Sequence, residues 1–203
     1  MIPKILLQTS RDAIPPKYVR NKLAAMTGDD WKYIHFTNAK MREYLNNAQE
    51  EFPLITDLFD KLVGPHKSDL FRYYFLYKNG GVYIDTDAML YKNINYLVEN
   101  YDFFAVEVNG VGNQCFNGFI GSIPNSEIIK KATYLAYNTS VDQLSDCYHL
   151  NCKNLSSIIK DSNSSNIKLL IEKDFTYSQA STFDEDLCNP ILIHYHKDKI
   201  IPK

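Results

Sequence analysis

The feature that most restricts the fold of this chain is the block of residues 66–87, in which an apolar helix, two glycines and a short β strand follow one another. Aromatic and aliphatic residues cover most of the helix circumference, and Gly80 and Gly81 supply the left-handed turn that ends it. The strand leads into Asp85 and Asp87, whose side chains share a face because strand residues two apart do so. Two like charges side by side destabilise a sheet, so we expect a partner for them.

A divalent cation is the partner that best suits the two carboxylates. Asp85 and Asp87 are delivered rigidly by a hydrophobic strand, and they repel each other and lose hydration unless a cation joins them. Oxygen ligands suit Mg²⁺ or Mn²⁺, often with substrate phosphates completing the shell. The same spacing recurs at Asp184 and Asp186 in a polar stretch, which we interpret as a solvated loop. A solvated turn after the strand is the alternative that this stretch alone leaves open.

The preceding helix carries a second charged pair. Asp69 and Arg72 are three residues apart, so they share one face of the helix at 66–79. An exposed ion pair, with Asp69 also favoured by the helix dipole, is one interpretation. Because the helix is otherwise very apolar, we favour a pair that faces a cleft. A charged fork and two carboxylates on opposite sides of that cleft could hold a polar, anionic substrate.

Strand-like and helix-like patterns alternate along the 203 residues, which predicts an α/β fold with a largely parallel sheet. Ligands of such sheets bind beyond the carboxyl ends of the strands, where Asp85 and Asp87 lie. We expect strands at 2–9, 31–36, 82–85, 101–108, 115–123, 167–171 and 190–196, helices at 17–26, 38–50, 54–63, 66–79 and 126–138, and a mixture of helix and loops at 140–166.

Composition and charge exclude several classes of protein. A net charge of −2 argues against a nucleic-acid binder that relies on phosphate attraction. No stretch approaches the roughly 18 uninterrupted apolar residues of a membrane span, and residues 1–10 contain no signal-peptide cleavage site. We therefore expect a cytoplasmic protein without a transmembrane segment, and peripheral association with a membrane stays open. The four cysteines lack the spacing of a zinc site, so we expect free thiols.

The order IPKILLQT, then SDLFRYYFLYKNGGVYIDTD, resembles the family 32 glycosyltransferases, the sugar-transferring group that contains a DXD motif. It is also similar to the catalytic core of the large glucosylating bacterial toxins. The specific part runs from Asp69 to Asp87 and fixes several spacings, whereas the weaker resemblance covers residues 2–125. The resemblance implies a GT-A, Rossmann-like fold, in which helices flank a central, mostly parallel sheet.

The resemblance further implies a metal-dependent hexosyltransferase of glycan biosynthesis. Such an enzyme moves a sugar from a nucleotide-diphosphate sugar, here UDP- or GDP-linked, to a glycan, lipid-linked or protein hydroxyl, with Mn²⁺ or Mg²⁺ and retention of configuration. We expect one GT-A domain over residues 1–203. Residues 1–125 would bind the nucleotide sugar and the metal, and residues 126–203 would form the acceptor side and the C-terminal part.

Residue roles also follow from the resemblance. Asp69 and Arg72 would hydrogen-bond the donor sugar, Asp85 would contact ribose and sugar and reach the metal through water, and Asp87 would coordinate the metal directly. These four are the expected catalytic residues. Asn117 falls where the family places polar residues beneath the sugar, with an Asn-Gly turn between two strand halves as the alternative. The expected donor-binding residues are Gln8, Thr9, Asp69, Arg72, Tyr83, Asp85 and Asn117.

A C-terminal histidine completes the metal shell in related GT-A enzymes. His194 and His196 lie on or just after the last apolar strand and share one face. We expect one of them, by preference His194, to join Asp85 and Asp87 as a ligand, with a purely structural histidine as the alternative. The other histidine, with Lys197 or Lys199, would meet the diphosphate.

Two other functions compete with sugar transfer. A phosphotransferase of the haloacid dehalogenase type also uses Asp-x-Asp after a strand, usually near the N-terminus, whereas Asp85 lies well inside this chain. A non-catalytic nucleotide-sugar-binding protein is the second alternative. For sugar transfer, the sequence shows no lone carboxylate suited to double displacement. We therefore favour front-side attack by the acceptor hydroxyl, with the departing phosphate taking its proton.

Overall fold

The computed structural model describes residues 1–108, 114–176, 179–185 and 188–195. In this part of the chain the strands are β1 (Ile5–Ser10), β2 (Lys32–Thr37), β3 (Gly81–Ile84), β4 (Ala88–Leu90), β5 (Phe103–Val108), β6 (Cys115–Ser122), β7 (Ile167–Thr176), β8 (Gln179–Phe183) and β9 (Leu192–Tyr195). The helices are α1 (Lys17–Thr27), α2 (Asn38–Leu45), α3 (Ile55–Lys61), α4 (Pro65–Asn79), α5 (Asn95–Asn100), α6 (Glu127–Asn138), α7 (Val141–Asp146) and α8 (Leu150–Lys160), with a 3-10 turn at Asn46–Ala48.

All these strands join one sheet in the order β2-β1-β3-β6-β5-β7-β8-β9-β4. The α/β class that the sequence predicts is confirmed, and the sheet is mixed. Among the described strands, β1 pairs in parallel with β2 and β3, β5 pairs in parallel with β7, and the other pairs are antiparallel. Strands β7, β8 and β9 follow one another with connections too short for a crossover, so they pair antiparallel. The expected predominance of parallel pairing therefore holds only on the β2-β1-β3 side and at β5–β7.

Each face of the sheet buries its own hydrophobic cluster. Leu7 and Tyr83 face a cluster built with α2, α3, α4, α6 and α8. Their neighbours Leu6 and Val82 face the opposite cluster, built with α1, α5 and β4. This alternation is the period of two that a pleated strand imposes, and burying a large apolar side chain contributes about 1.5–3 kcal/mol each time. The strands are thus fixed in register from both sides.

Helix α4 lies inside the protein, because ten of its residues between His66 and Tyr77 are buried. Pro65 occupies its first turn, and Gly80 and Gly81 end it with positive φ angles of 65° and 108°. A Cβ at Gly81 would lie 2.9 Å from the carbonyl oxygen of Ile5. Glycine therefore allows β3 to start directly after α4 and still lie against β1.

The structure corrects several sequence-based expectations. The patterns missed β4, α5 and β8, which have three, six and five residues and too little periodicity to be recognised. The turn considered at Asn117-Gly118 is wrong, because both residues lie inside β6. The helix expected at 38–50 ends at Leu45 and continues as a 3-10 turn. Among the helices described, none has the length and apolar character needed to cross a membrane.

Candidate functional site

Pairing of the edge strand β4 with β9 creates a compact cluster of metal-binding groups. Asp85 follows β3, and Asp87 directly precedes β4. Strand β4 pairs with β9 so that Ala88 lies opposite His194, and the backbone N–H of Tyr195 donates to the carbonyl of Asp87 at 2.9 Å. As a result, one ligand atom each of Asp85, Asp87 and His194 lies within 4.8 Å of the other two. His194 thus lies beside the two carboxylates, and its role as a metal ligand stays a prediction.

The imidazole of His194 is held in place by its neighbours. Its ring stacks on Phe116 with centroids 4.6 Å apart, and its Nε2 lies 3.4 Å from Oδ2 of Asp87. Burial lowers the pKa of His194, but the hydrogen bond and charge of Asp87 outweigh it and leave the pKa raised. Two carboxylates and an imidazole suit a divalent cation such as Mn²⁺. His196, Lys197 and Lys199 lie outside the described residues.

Arg72 is buried at the centre of the site, with only 2% of its surface exposed. Its Nη2 lies 3.2 Å from Oδ1 of Asp85 and 3.5 Å from Oδ1 of Asp69, and its Nη1 donates to the carbonyl of Asn117 at 2.6 Å. The guanidinium also lies over the ring of Tyr83, 4.0 Å from its centroid. Burial lowers the pKa of Arg72, but the charges of Asp85 and other neighbours outweigh this effect, so the pKa is raised overall and the guanidinium stays protonated. The exposed ion pair considered from the sequence is therefore excluded.

Asp69 is fixed by two amide side chains. Asn117 Nδ2 donates to its Oδ1 at 2.9 Å, and Asn151 Nδ2 donates to its Oδ2 at 3.0 Å. Burial would raise the pKa of Asp69, but Arg72 first, and then His66 and Asn151, lower it below the ordinary value. The carboxylate therefore stays ionised although it is buried. Both its oxygens are engaged, so contacts to a donor sugar would have to share them.

The end of β1 supports Asp85 from behind. Tyr83 donates to Oδ1 of Asp85 at 2.7 Å and shares a hydrogen bond with Thr9. Gln8 donates from Nε2 to the carbonyl of Asp85 at 3.2 Å and accepts from Tyr33 at 2.9 Å. Because Gln8 is completely buried, the structure places it behind the cleft and away from a ligand. Thr9 and Tyr83 line the cleft.

Two cavities meet at this cluster, and Pro65, Arg72, Asp85 and Asp87 line both of them. The β1-side cavity has a volume of about 630 Å³, and its other lining residues include Thr9, Arg11, Asn38, Lys67 and Ser68. The β7-side cavity has a volume of about 690 Å³, and its other lining residues include Asp69, Phe116, Asn117, Tyr148, Glu172 and His194. Each is of the size that ligand pockets usually have.

Several residues of the site carry no recognisable sequence signal. Asn151 comes from α8, in the Ser/Asn-rich stretch where the sequence shows only a mixture of helix and loops. Tyr148 and His149 come from the α7–α8 connection, and Glu172 comes from β7. All of them except Asn151 line the β7-side cavity, and Asn151 supports Asp69 from below. Only packing of distant segments brings them to the cluster.

Structural comparison relates the fold of this chain to that of the GT-A glycosyltransferases. The structure of the PaToxG glycosyltransferase matches this chain with a TM-score of 0.53 at 15% sequence identity. The match covers 78% of this chain and 69% of the other. At this identity the likeness concerns the fold alone, and it confirms the GT-A fold expected from the sequence.

Sequence comparison finds a matching family model and similar proteins. Residues 17–104 match the family model described as the glycosyltransferase sugar-binding region containing a DXD motif. An uncharacterized glycosyltransferase of Acanthamoeba polyphaga mimivirus is 33% identical over 136 residues, which cover 63% of this chain and 53% of that protein. A mannosyl phosphorylinositol ceramide synthase of Saccharomyces cerevisiae is 30% identical over 135 residues, which cover 65% of this chain and 34% of that protein. The matches thus span about half and one third of these relatives' lengths.

Residues 17–104, which include the whole block from Asp69 to Asp87, are thus similar to the sugar-binding region of the DXD-motif glycosyltransferases. The resemblance drawn from the sequence is confirmed. Neither the haloacid dehalogenase alternative nor the non-catalytic alternative finds support in these comparisons.

Proposed function

We propose that this chain is a glycosyltransferase domain that moves a hexose from a nucleotide-diphosphate sugar to a hydroxyl acceptor. One observation carries the proposal. Asp85 and Asp87 line the wall that two cavities share, beside the buried Arg72, and ligand atoms of Asp85, Asp87 and His194 lie within 4.8 Å of one another. A sugar-transfer site needs a place for donor and acceptor on either side of one reacting carbon. Two cavities that meet at a charged cluster supply that arrangement.

The donor occupies the β1-side cavity in this proposal. Arg11 and Lys67 line it and bring positive charge, which suits the diphosphate of a UDP- or GDP-sugar. The hexose then lies at the wall that the two cavities share, near Asp69 and Arg72. The division of the chain follows: residues 1–125 bind the donor, and residues 126–203 supply His194 and the acceptor side.

A divalent cation, Mn²⁺ or Mg²⁺, fits between Asp85, Asp87 and His194, because the ligand atoms of all three residues surround one small space. The two carboxylates supply the oxygen ligands that these ions prefer, and the imidazole suits Mn²⁺. A bound ion would neutralise charge on the departing diphosphate. His194 and Asp87 are already in contact at 3.4 Å, so little rearrangement is needed to hold it.

The protein residues act by positioning and by charge. Arg72 is fixed by Asp85, Asp69 and Asn117, so it presents a preorganised cation at the shared wall. We propose front-side attack, in which the acceptor oxygen bonds to the anomeric carbon while the bond from that carbon to the diphosphate oxygen breaks. The hydroxyl proton passes to the departing phosphate, and the configuration is retained. Proton NMR of the first product formed tests the stereochemistry.

A panel of UDP- and GDP-sugars, with Mn²⁺ or with chelator, tests the proposal through binding and through donor hydrolysis. The name of the yeast relative refers to mannose, so a mannose nucleotide belongs in the panel. We expect metal-dependent hydrolysis of one donor, which Asp87→Ala reduces at least about 100-fold because a ligand is lost. Asp161→Ala, an exposed aspartate at the end of α8, is the matched control. Hydrolysis that chelator and Asp87→Ala both leave unchanged would contradict the proposal.

A further inference from the structure

The β7-side cavity contains an aromatic surface that neither the metal cluster nor the donor accounts for. Tyr148 lies in the connection between α7 and α8, and 55% of it is exposed. Its ring rests against His66, with centroids 5.1 Å apart, and against His149, with centroids 5.0 Å apart. The ring is thus supported from within while much of its surface stays open. Such a supported, accessible ring is suited to stacking against a flat, partly apolar ligand.

A carboxylate lines the same cavity. Glu172 is only 8% exposed, and it lies on β7 among the cavity residues. Glu172 pairs with Thr182, which pairs with Leu192, two residues before His194. Because residues two apart on a strand point to one face, Glu172 and His194 lie on the same side of the sheet. A carboxylate accepts hydrogen bonds from hydroxyl groups, so this cavity offers a hydrogen-bond acceptor for hydroxyl groups as well as an aromatic ring.

The combination of features identifies a class of ligand. A ring that carries several hydroxyl groups has a C–H face that stacks on tyrosine and O–H groups that donate to a carboxylate. Its size is consistent with a cavity of about 690 Å³, part of which the donor sugar would occupy at the shared wall. A serine or threonine side chain would present one hydroxyl and would use neither the ring of Tyr148 nor the carboxylate fully.

We infer that the β7-side cavity is the acceptor site, and that the acceptor is a polyhydroxylated ring that stacks on Tyr148 and donates a hydrogen bond to Glu172. The inference rests on the proposed function and names its acceptor class. A sugar and a cyclitol present the same chemistry, so the experiment uses both. The reacting hydroxyl then points from Tyr148 towards the cluster of Asp85, Asp87 and His194, which lines the same cavity.

The test measures acceptor and donor kinetics separately. Transfer is followed to methyl glycosides of glucose, galactose and mannose, to myo-inositol, and to a serine-containing peptide. Tyr148→Ala should raise the acceptor KM about fivefold more than the donor KM, since stacking of this kind contributes about 1 kcal/mol. Tyr148→Phe should restore the acceptor KM, because it keeps the ring. Glu172→Gln should also raise mainly the KM for the acceptor substrate. The change replaces a carboxylate oxygen, which accepts a hydrogen bond, with an NH₂ group, which donates one.

Matched controls come from the same residue types outside the cavities. Tyr134 is 40% exposed on α6, and Glu107 is exposed on β5, and neither is among the cavity residues. Tyr134→Ala and Glu107→Gln should leave the acceptor KM unchanged. Equal effects of Tyr148→Ala and Tyr134→Ala would overturn the inference. Preferred transfer to the peptide would also overturn it. The same holds if Tyr148→Ala raises the donor KM and the acceptor KM equally.

A binding measurement separates this inference from the proposed function. Saturation-transfer NMR detects the methyl glycosides and myo-inositol on the protein without any donor or turnover. Ring binding that Tyr148→Ala weakens at least about fivefold supports the site, even if no nucleotide sugar is hydrolysed and the proposed function fails. Donor hydrolysis with no binding of, or transfer to, either kind of ring would overturn the inference and leave the proposed function intact. The glycoside and inositol arms show which ring the cavity prefers.

Discussion

Replacing Gly118 by alanine should abolish most activity through a single methyl group. Gly118 lies in β6, and its carbonyl accepts the backbone N–H of Asp85 at 2.9 Å. A Cβ at this position would lie 2.1 Å from Oδ2 of Asp85 and 2.2 Å from the ring of Phe116. Gly118→Ala therefore pushes on the carboxylate that contacts Arg72 and belongs to the proposed metal site.

The size of the effect follows from these distances. Real Cβ contacts stay at 3.0 Å or more, so the carboxylate of Asp85 has to move by about 1 Å. A misplacement of about 1 Å at a reacting centre lowers the rate about 100-fold. Overpacking of this kind also destabilises a protein by about 1–3 kcal/mol. For a chain of this length, each kcal/mol lowers the melting temperature by about 2–4 °C.

Gly121 offers a matched control three residues further along β6. A Cβ there would lie 2.0 Å from Cε1 of Phe104, which is completely buried in the hydrophobic core. Gly121→Ala should thus lower the melting temperature about as much as Gly118→Ala does. Because it contacts no residue of the metal cluster, its turnover per folded molecule should stay within about threefold of the unmodified protein.

The assay compares both variants at a temperature well below their unfolding transitions. Metal-dependent hydrolysis of the nucleotide sugar is divided by the folded fraction from circular dichroism. If both variants lose turnover equally, Asp85 has no special role beyond the stability of β6. If Gly118→Ala keeps full turnover, the position of Asp85 beside β6 does not matter for the chemistry, and the reasoning fails.

Three further predictions concern the buried charges. Arg72→Lys keeps the charge but loses the planar guanidinium that contacts both Asp85 and Asn117. We therefore expect kcat/KM for donor hydrolysis to fall about 100-fold. An unchanged kcat/KM would contradict the proposed role of Arg72. Asn151→Ala leaves Oδ2 of Asp69 without its amide donor, and urea unfolding should show a loss of about 1–3 kcal/mol. The pKa of Asp69 is lowered in the folded protein, so its stabilisation is complete above the ordinary value of 3.8 and is lost as the pH falls through the folded value. Asp69→Asn should therefore flatten the acid limb of stability in urea unfolding between pH 6 and pH 3, and an equally steep limb would contradict this assignment.

Much of the site could be predicted from the spacing of residues within single helices and strands. Asp69 and Arg72 share a helix face because they are three residues apart, and Asp85 and Asp87 follow one strand. Gly80 and Gly81 join these two elements without a linker, so their relative position is fixed by the covalent chain. Local rules were sufficient here because every separation is short compared with one helix or one strand.

The position of His194 beside the carboxylates needed the sheet. Both His194 and His196 fit the same strand pattern, and the pairing of Ala88 with His194 brings that residue to Asp87. Strand β4 gave no signal of its own, so no sequence pattern could state this register. Gln8 shows the opposite case, because a polar residue at the end of β1 looked suited to a ligand and is completely buried behind Asp85.

The sequence by itself determined the apolar helix, its glycine stop and the strand that presents two carboxylates, since these depend on backbone preferences within about twenty residues. Only the tertiary structure brought Asn151 under Asp69, and Tyr148 and Glu172 into the second cavity. These residues lie about sixty or more positions beyond the carboxylate block in the sequence. They reach it because α8 packs against the sheet and β7 pairs with β5. Packing of apolar faces fixes the positions of these elements, and the polar residues on the same elements are brought to the site as a consequence.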